Sequence, residues 1–311
     1  MLARLIIALF LFLSLTPAIK AEELDPVEAV FQDIYDAWNS HNSEKLFSYY
    51  SQSFVTGDGI NKEDYKELTE KLWKAYPDIK IENQKKTIRS QDNYATVSGI
   101  DFFYGTSAEP NEDLGKHGIL NAISQGQTFL EKYGKEWKIE SDSINFELVT
   151  VYYGNAKEYL DEHQIYFSSP EQVKADDQYS GTLYFVLPEN IKATATINKE
   201  LIQKPSDENV EESFQVISDH KLERLFMAND TNHNELVSAT IILSKGIIEP
   251  KLDGILYISK RVNVLSEIKK AERETIVNKA FAVSKTPSTP KDDKSTSEVK
   301  TKQLEIETIE E

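Results

Sequence analysis

The sequence contains no cysteine. That excludes a disulfide framework, a thiol nucleophile, a cysteine-ligated zinc and a lipid-modified cysteine. Basic residues are short as well: 35 Lys and Arg stand against 52 Asp and Glu, for a net charge of −17. A surface of that sign repels phosphate backbones, so no nucleic-acid partner is expected, and anionic membranes are disfavoured for the same reason. Histidine is scarce, with five in the chain. His41, His117, His163, His220 and His233 give neither H-x-x-x-H nor H-E-x-x-H, so no metal is expected. There is no P-loop, no dinucleotide glycine pattern and no G-x-S-x-G, and no cofactor is expected. Asp230, Asn232 and Asn234 imitate the start of a calcium loop. Glu235 stands where such a loop needs Gly and Ile241 where it needs Glu, so the segment reads as a polar hairpin tip.

What is present begins with an export signal. Arg4 is followed by the uncharged run Leu5–Leu15 and by the small-residue exit Thr16–Ala21 with Pro17. That order is a secretory signal peptide, removed after Ala21 or Ala18. Lys20 and Glu22 end the run well short of the about 20 apolar residues a membrane span needs. The expectation is an exported protein, periplasmic or secreted, with no stable membrane insertion once residues 1–21 are gone. The remaining chain has the length of one or two domains, and 40% hydrophobic content is enough for real cores.

Asp25-Pro26-Val27-Glu28 starts a helix, with Asp25 as cap and Pro26 in the first turn. Val27, Val30, Phe31, Ile34 and Trp38 form one stripe at helical spacing. Ser43 is expected to cap a shorter helix carrying Leu46, Phe47 and Tyr50. Ser53–Thr56 reads as a short strand, and Gly57-Asp58-Gly59 as a turn. A third helix runs from Lys62 to Ala75, with Tyr65, Leu68 and Leu72 on one side and Pro77 as stop. The period then changes to two. Ile79–Glu82 alternates, Tyr94–Tyr104 reads as a long strand, and Gly118–Tyr133 pairs with it through a bulge at Gly126. Tyr133-Gly134-Lys135-Glu136 is a hairpin turn that returns through Trp137 and Ile139. Helices on one face of a curved antiparallel sheet predict an α+β cone over residues 22–146.

The segment resembles the NTF2-like superfamily, including its SnoaL-like and ketosteroid-isomerase-like members. The resemblance rests on AVFQDIYDAWNSHNSEKLFSYYSQSFVTGDG, KEDYKELTEKLWKAYPDIKIE and the strand pair ending in FLEKYGKEWKIES. It implies a pocket between sheet and helices, and pairing through the sheet into a homodimer. It also implies, in enzymatic members, a carboxylate or His as proton carrier beside a Tyr or a protonated acid. Such a carrier needs a dry site that raises its pKa. Asp58 falls near the position of the isomerase base, although Gly-Asp-Gly reads more simply as a solvent-facing turn. The isomerase's tyrosine falls on Ile34, with Tyr35 about 100° around the helix. Asp101 shares a strand face with Ala95, Val97, Gly99 and Phe103. It is either a buried carboxylate needing a partner or a raised pKa, or a rim residue carried outward by twist. Tyr35, Trp38 and Tyr50 from the helical segment, with Tyr104, Asn121 and Gln125 near the expected mouth, are the candidate ligand contacts.

After Phe146, short alternating runs appear at Leu148–Tyr153, His163–Phe167, Gly181–Leu187, Ala193–Ile197, Phe214–Ile217, Glu223–Met227, Leu236–Leu243 and Leu252–Val262. They predict an all-β sandwich-like second domain over residues 147–265. Residues 266–311 read as one helix or strand and then a disordered tail from Ser284, which has no aromatic residue. The function this supports is an exported, non-catalytic protein that binds a small apolar molecule or a protein partner. The alternative is an isomerase- or dehydratase-like enzyme with Asp101 or Asp58 as base.

Overall fold

The structure, a computed structural model, describes residues 25–162, 164–202, 214–217, 220–231 and 233–265. The expected export signal, His163, Asn232, residues 204–212 and the expected tail lie outside the described residues. Helix α1 spans Pro26–Asn39, and the Asp25 carboxylate accepts from the Val27 amide at 2.8 Å. Val27, Phe31, Ile34 and Ala37 are its buried face. Helix α2, Ser43–Ser48, is capped by Asn42 instead of Ser43, whose hydroxyl donates to Glu70. His41 makes the turn between them with φ +53°. Helix α3, Lys62–Ala75, starts on an Asn61 cap.

Thirteen strands follow the chain among the described residues. They are β1 Tyr50–Thr56, β2 Lys80–Gln91, β3 Tyr94–Asn111, β4 Lys116–Tyr133, β5 Glu136–Gly154, β6 Ile165–Ser168, β7 Gln172–Lys174, β8 Gln178–Phe185, β9 Ile191–Leu201, β10 Gln215–Val216, β11 Lys221–Met227, β12 Glu235–Lys245 and β13 Lys251–Leu265. A short helix α4, Ala156–Asp161, lies between β5 and β6.

This arrangement overturns the expected α+β cone with an appended sandwich. About 60% of the described residues are strand and 18% helix. One ten-stranded sheet runs through both expected regions: eight strands in the order β10-β9-β12-β13-β5-β4-β3-β2, with β1 added on β5 and β7 on β13. The joint is β5. Its first half pairs with β4, and its second half pairs with β4 on one edge and β13 on the other. Leu148–Tyr153 is therefore the end of a 19-residue strand and not a strand of its own. β1 joins the same strand in parallel, Tyr50 opposite Ile139.

Two hydrophobic cores flank this sheet. Alternation along β5 serves both: Val149, Val151 and Tyr153 meet the first core, while Leu148 and Tyr152 meet the second. The first core joins α1–α3 and β1 to β2–β5, with Phe31, Leu46, Phe54 and Trp73 against Ala95, Val97, Leu130 and Trp137. In the second, a three-stranded sheet, β11-β8-β6, covers β9, β12 and β13. Glu235 is fully buried there, accepting from Tyr179 Oη at 2.5 Å, Lys199 Nζ at 3.0 Å and the Asn229 amide at 2.9 Å. A buried carboxylate is tolerated when its lone pairs are so occupied. No helix among the described residues is long and apolar enough to cross a membrane. The chain divides into two units, Met1–Ser266 and Glu267–Glu311, and every described element belongs to the first.

Candidate functional site

Between the three helices and the sheet lies a cavity of about 400 Å³. Phe31, Ile34, Tyr35 and Trp38 of α1 and Tyr65, Thr69 and Leu72 of α3 form its roof. Leu68 lines it too and is 37% exposed, which places it at the mouth. Val97, Gly99 and Phe103 of β3, Leu120, Ala122 and Ser124 of β4, and Ile139, Ile144 and Val149 of β5 make the floor. Most of this wall is apolar, and four charged side chains interrupt it: Lys86, Asp101, Asp142 and Glu147.

Backbone bulges aim two of those four, Lys86 and Asp142. In a regular strand residues alternate between faces, and one extra residue reverses the alternation. On β2 the register slips between Asn83 and Lys85, so Ile81 and Lys86 both face the cavity although they are five residues apart. On β5 the extra residues are Glu140 and Asn145. Ile139, Asp142, Ile144, Glu147 and Val149 then all face inward. Gly126 permits the second slip: a Cβ there would come within 2.4 Å of the Ser143 carbonyl oxygen.

The charges form two groups. At one side, the Tyr35 hydroxyl donates to Asp101 Oδ1 at 2.8 Å, and Lys86 Nζ lies 3.6 Å from the Tyr35 ring centre. Burial holds the Lys86 ammonium down to about 8, against the opposing pull of Asp101 and Glu28. At the other side are Asp142 and Glu147. Burial pushes Asp142 up to about 6, and the nearby Asp58 charge adds to it, while Arg261 opposes. Burial raises Glu147 in the same direction. Tyr50 and Tyr65 stand beside them, their ring centres 5.9 Å apart, and burial raises both phenols. Asp101, Ser124 and Glu147 occupy one row across β3, β4 and β5. At about 4.8 Å per strand, the two acidic backbones stand about 10 Å apart.

Of the residues expected from sequence, Tyr35, Trp38, Tyr50 and Asp101 line the cavity. Asp101 is half-buried in the cavity wall and accepts from the Tyr35 hydroxyl. Tyr104 is exposed and lies outside the cavity wall. Asn121 and Gln125 belong to the opposite face of β4, since the wall takes Leu120, Ala122 and Ser124; Asn121 reaches Tyr152 there, at 3.4 Å. Asp58 does sit in a turn, but the turn does not face solvent. Asp58 is 6% exposed and takes both terminal nitrogens of Arg261, at 2.6 and 2.9 Å, together with Asn234 Nδ2 at 2.8 Å. Its oxygens are thus occupied by a bidentate guanidinium and an amide, and it does not line the cavity. Asn234, read as part of a hairpin tip, is thus a strut to the β1 turn. Lys86, Asp142 and Glu147 escaped the sequence reading.

Among the described residues no group of three or more His, Asp or Glu side chains is placed to hold a metal ion. His41 stacks on Trp73 at 4.8 Å, and His117 bonds the Ser107 carbonyl.

No protein-family model and no curated protein matches the chain. Solved structures with local likeness include Bd1075 of Bdellovibrio bacteriovorus, at 15% identity over 38% of each chain with a TM-score of 0.30. The match spans well under half of that protein's length. They also include a putative scytalone dehydratase from Novosphingobium aromaticivorans, at 14% identity over 38% of this chain and 80% of that one, TM-score 0.32. A putative dehydratase from the NTF2-like family of Streptomyces avermitilis is similar at 13% identity over 38% of this chain and 91% of its own, TM-score 0.31.

Proposed function

We propose that this chain is a small-molecule-binding protein whose ligand occupies the cavity under α1 and α3. The observation that carries the reading is the cavity itself: about 400 Å³ of space with an aromatic and aliphatic wall and a few convergent polar groups. Natural cores close such space, because voids forfeit dispersion contacts, and ligand sites have this size and lining. Filling the space should abolish binding. Ala122 lies in the floor, so Ala122→Trp is expected to weaken binding of the uncharged dye N-phenyl-1-naphthylamine at least tenfold, read by dye fluorescence, with cooperative thermal unfolding retained. Equal dye binding by the folded variant and the wild type would remove the cavity from the account.

Export is part of the proposal and rests on residues 1–21 alone. N-terminal sequencing of the secreted product is expected to begin at Glu22 or, for cleavage after Ala18, at Ile19. A chain retained inside the cell with Met1 intact would refute it.

A proton-transfer enzyme is the second reading, and Asp142 is what favours it. A carboxylate held at about 6 beside two phenols can take and return a proton near neutral pH. In this reading Asp142 replaces Asp58 as the base. Exchange of the α-protons of a bound ketone in heavy water, lost in Asp142→Asn, would move the conclusion from binding to catalysis.

A further inference from the structure

We propose that the end of the cavity formed by Asp142, Glu147, Tyr50 and Tyr65 is an ammonium-recognition site, and that the ligand is a cationic amphiphile, an amine head on an apolar body. The inference rests on the reading that the cavity holds a ligand.

It begins from two acids that feel Arg261 at a distance but, among the described residues, have no cationic side chain in direct contact. Both carboxylates face the cavity, and among the described residues no side chain donates a hydrogen bond to either. Both side chains are half-buried at the cavity surface, and a ligand that fills the cavity removes their remaining exposure, so each then requires a partner. The nearby cations are committed elsewhere. Arg261 gives Nη1 and Nη2 to Asp58 and Nε to Asn263 at 2.8 Å. Lys86 lines the same cavity but stands on β2, three strand spacings from β5, about 14 Å across the sheet. It lies over the Tyr35 ring and is attracted to Asp101. The missing partner is therefore one the protein does not carry.

The surroundings specify its chemistry. Tyr50 and Tyr65 present aromatic rings with centres 5.9 Å apart beside the two acids. Aromatic faces with adjacent carboxylates attract an ammonium by cation–π and Coulomb terms together, and both strengthen where water is excluded. Beyond this end the wall becomes Ile144, Val149, Leu120 and Leu72, suited to a hydrocarbon or aromatic body. A neutral ligand would leave two carboxylates desolvated without relief, and an anionic one would add repulsion. The net charge of −17 draws cations toward the protein from solution.

The test uses the full exported chain and a matched probe set: 1-naphthylmethylamine, 1-naphthalenemethanol and 1-naphthoate, each competed against N-phenyl-1-naphthylamine at pH 7.5. The amine is expected to bind at least tenfold more tightly than the alcohol, and the carboxylate least tightly. Asp142→Asn and Glu147→Gln should each reduce the amine's advantage severalfold and leave the alcohol unchanged. Asp113→Asn, in the exposed turn between β3 and β4 and outside the cavity wall, should preserve the advantage. If amine and alcohol displace the dye equally, the ammonium site is refuted while the cavity remains a binding site. The ammonium site is refuted in the same way if the amine's advantage survives the double variant Asp142→Asn/Glu147→Gln. If no compound displaces the dye and the dye itself does not bind, both readings fall together.

Discussion

Arg261→Met is expected to destabilise the protein by about 3–5 kcal/mol, because it strands Asp58 as a buried charge. The side chains of the pair are 3% and 7% exposed, and the bidentate contact is shielded from solvent. Removing the guanidinium leaves Asp58 with Asn234 Nδ2 and no counterion. The loss should be largely conditional on the partner. In the double variant Arg261→Met/Asp58→Leu no charge is left buried, and replacement of a buried ion pair by apolar groups is often near neutral. Urea unfolding of the wild type, both single variants and the double variant makes the comparison. Equal destabilisation in Arg261→Met and the double variant would show that packing of the long side chain, not charge pairing, is what Arg261 supplies. The geometry explains why the effect should spread. Asp58 belongs to the turn that follows β1, and Arg261 belongs to β13, beside β12. The pair ties the helix-bearing side of the great sheet to its other half. Asn234 reinforces the tie by donating to Asp58 and accepting from the Val264 amide at 3.0 Å.

The same pair shows what a sequence can and cannot disclose. Gly57-Asp58-Gly59 announces a turn, because glycine flanks an Asx side chain. Nothing local says that a cation 203 residues later will fold over it. The α1 stripe was legible because helical periodicity is a local signal, and α3 was found between the same limits, Lys62 and Ala75. Caps were less secure: Asn42 and Ser43 are both good N-cap residues, and one position decides between them. The union of two expected domains into one sheet was hidden for another reason. Strand pairing is non-local, and β5 gives no sign in its own residues that β13 lies along its far edge. The break read at Phe146 is a bulge neighbourhood, where Asn145 interrupts the alternation within one strand.

Asp142 was missed for that reason too. Trp137 and Ile139 share one phase, Ile144 shares the next, and Val149 and Val151 return to the first. Reading alternation forward from Ile139 assigns Asp142 to the outer face. Two phase breaks in apolar alternation within twelve residues are the available signal, and each marks a bulge that re-aims a polar side chain. The β2 run carries the same signature, since Ile79 and Ile81 are out of phase with Ile88 and the slip between them turns Lys86 inward.

Asp142→Asn is expected to stabilise the folded chain at neutral and higher pH, an unusual direction for a substitution in a cavity wall. The carboxylate ionises at about 6 in the folded protein against 3.8 ordinarily, with burial as the main cause. Below about pH 4 both folded and unfolded chains hold the proton, and the substitution should change little. Between 4 and 6 the unfolded chain loses its proton while the folded chain keeps it. Unfolding then releases protons, so stability falls as pH rises. Above 6 the full cost is in place, about 3 kcal/mol for a displacement of this size. The groups that face Asp142 do not reverse the sign: Asp58 adds to the rise, Arg261 opposes it without cancelling it, and neighbouring Glu147 is raised in the same direction. Asparagine keeps the shape and abolishes the charge. Urea unfolding at pH 4, 6 and 8 should therefore show a gain that is small at 4, most of the full value by 6 and about 3 kcal/mol at 8. A loss that is constant across the three values would mean that the Asp142 carboxylate makes a stabilising contact, and the ammonium site would fail with it. A saturating naphthylmethylamine titration at pH 8 ties this to binding. By pairing with Asp142 in the folded state alone, the amine should recover for the wild type part of what the substitution provides.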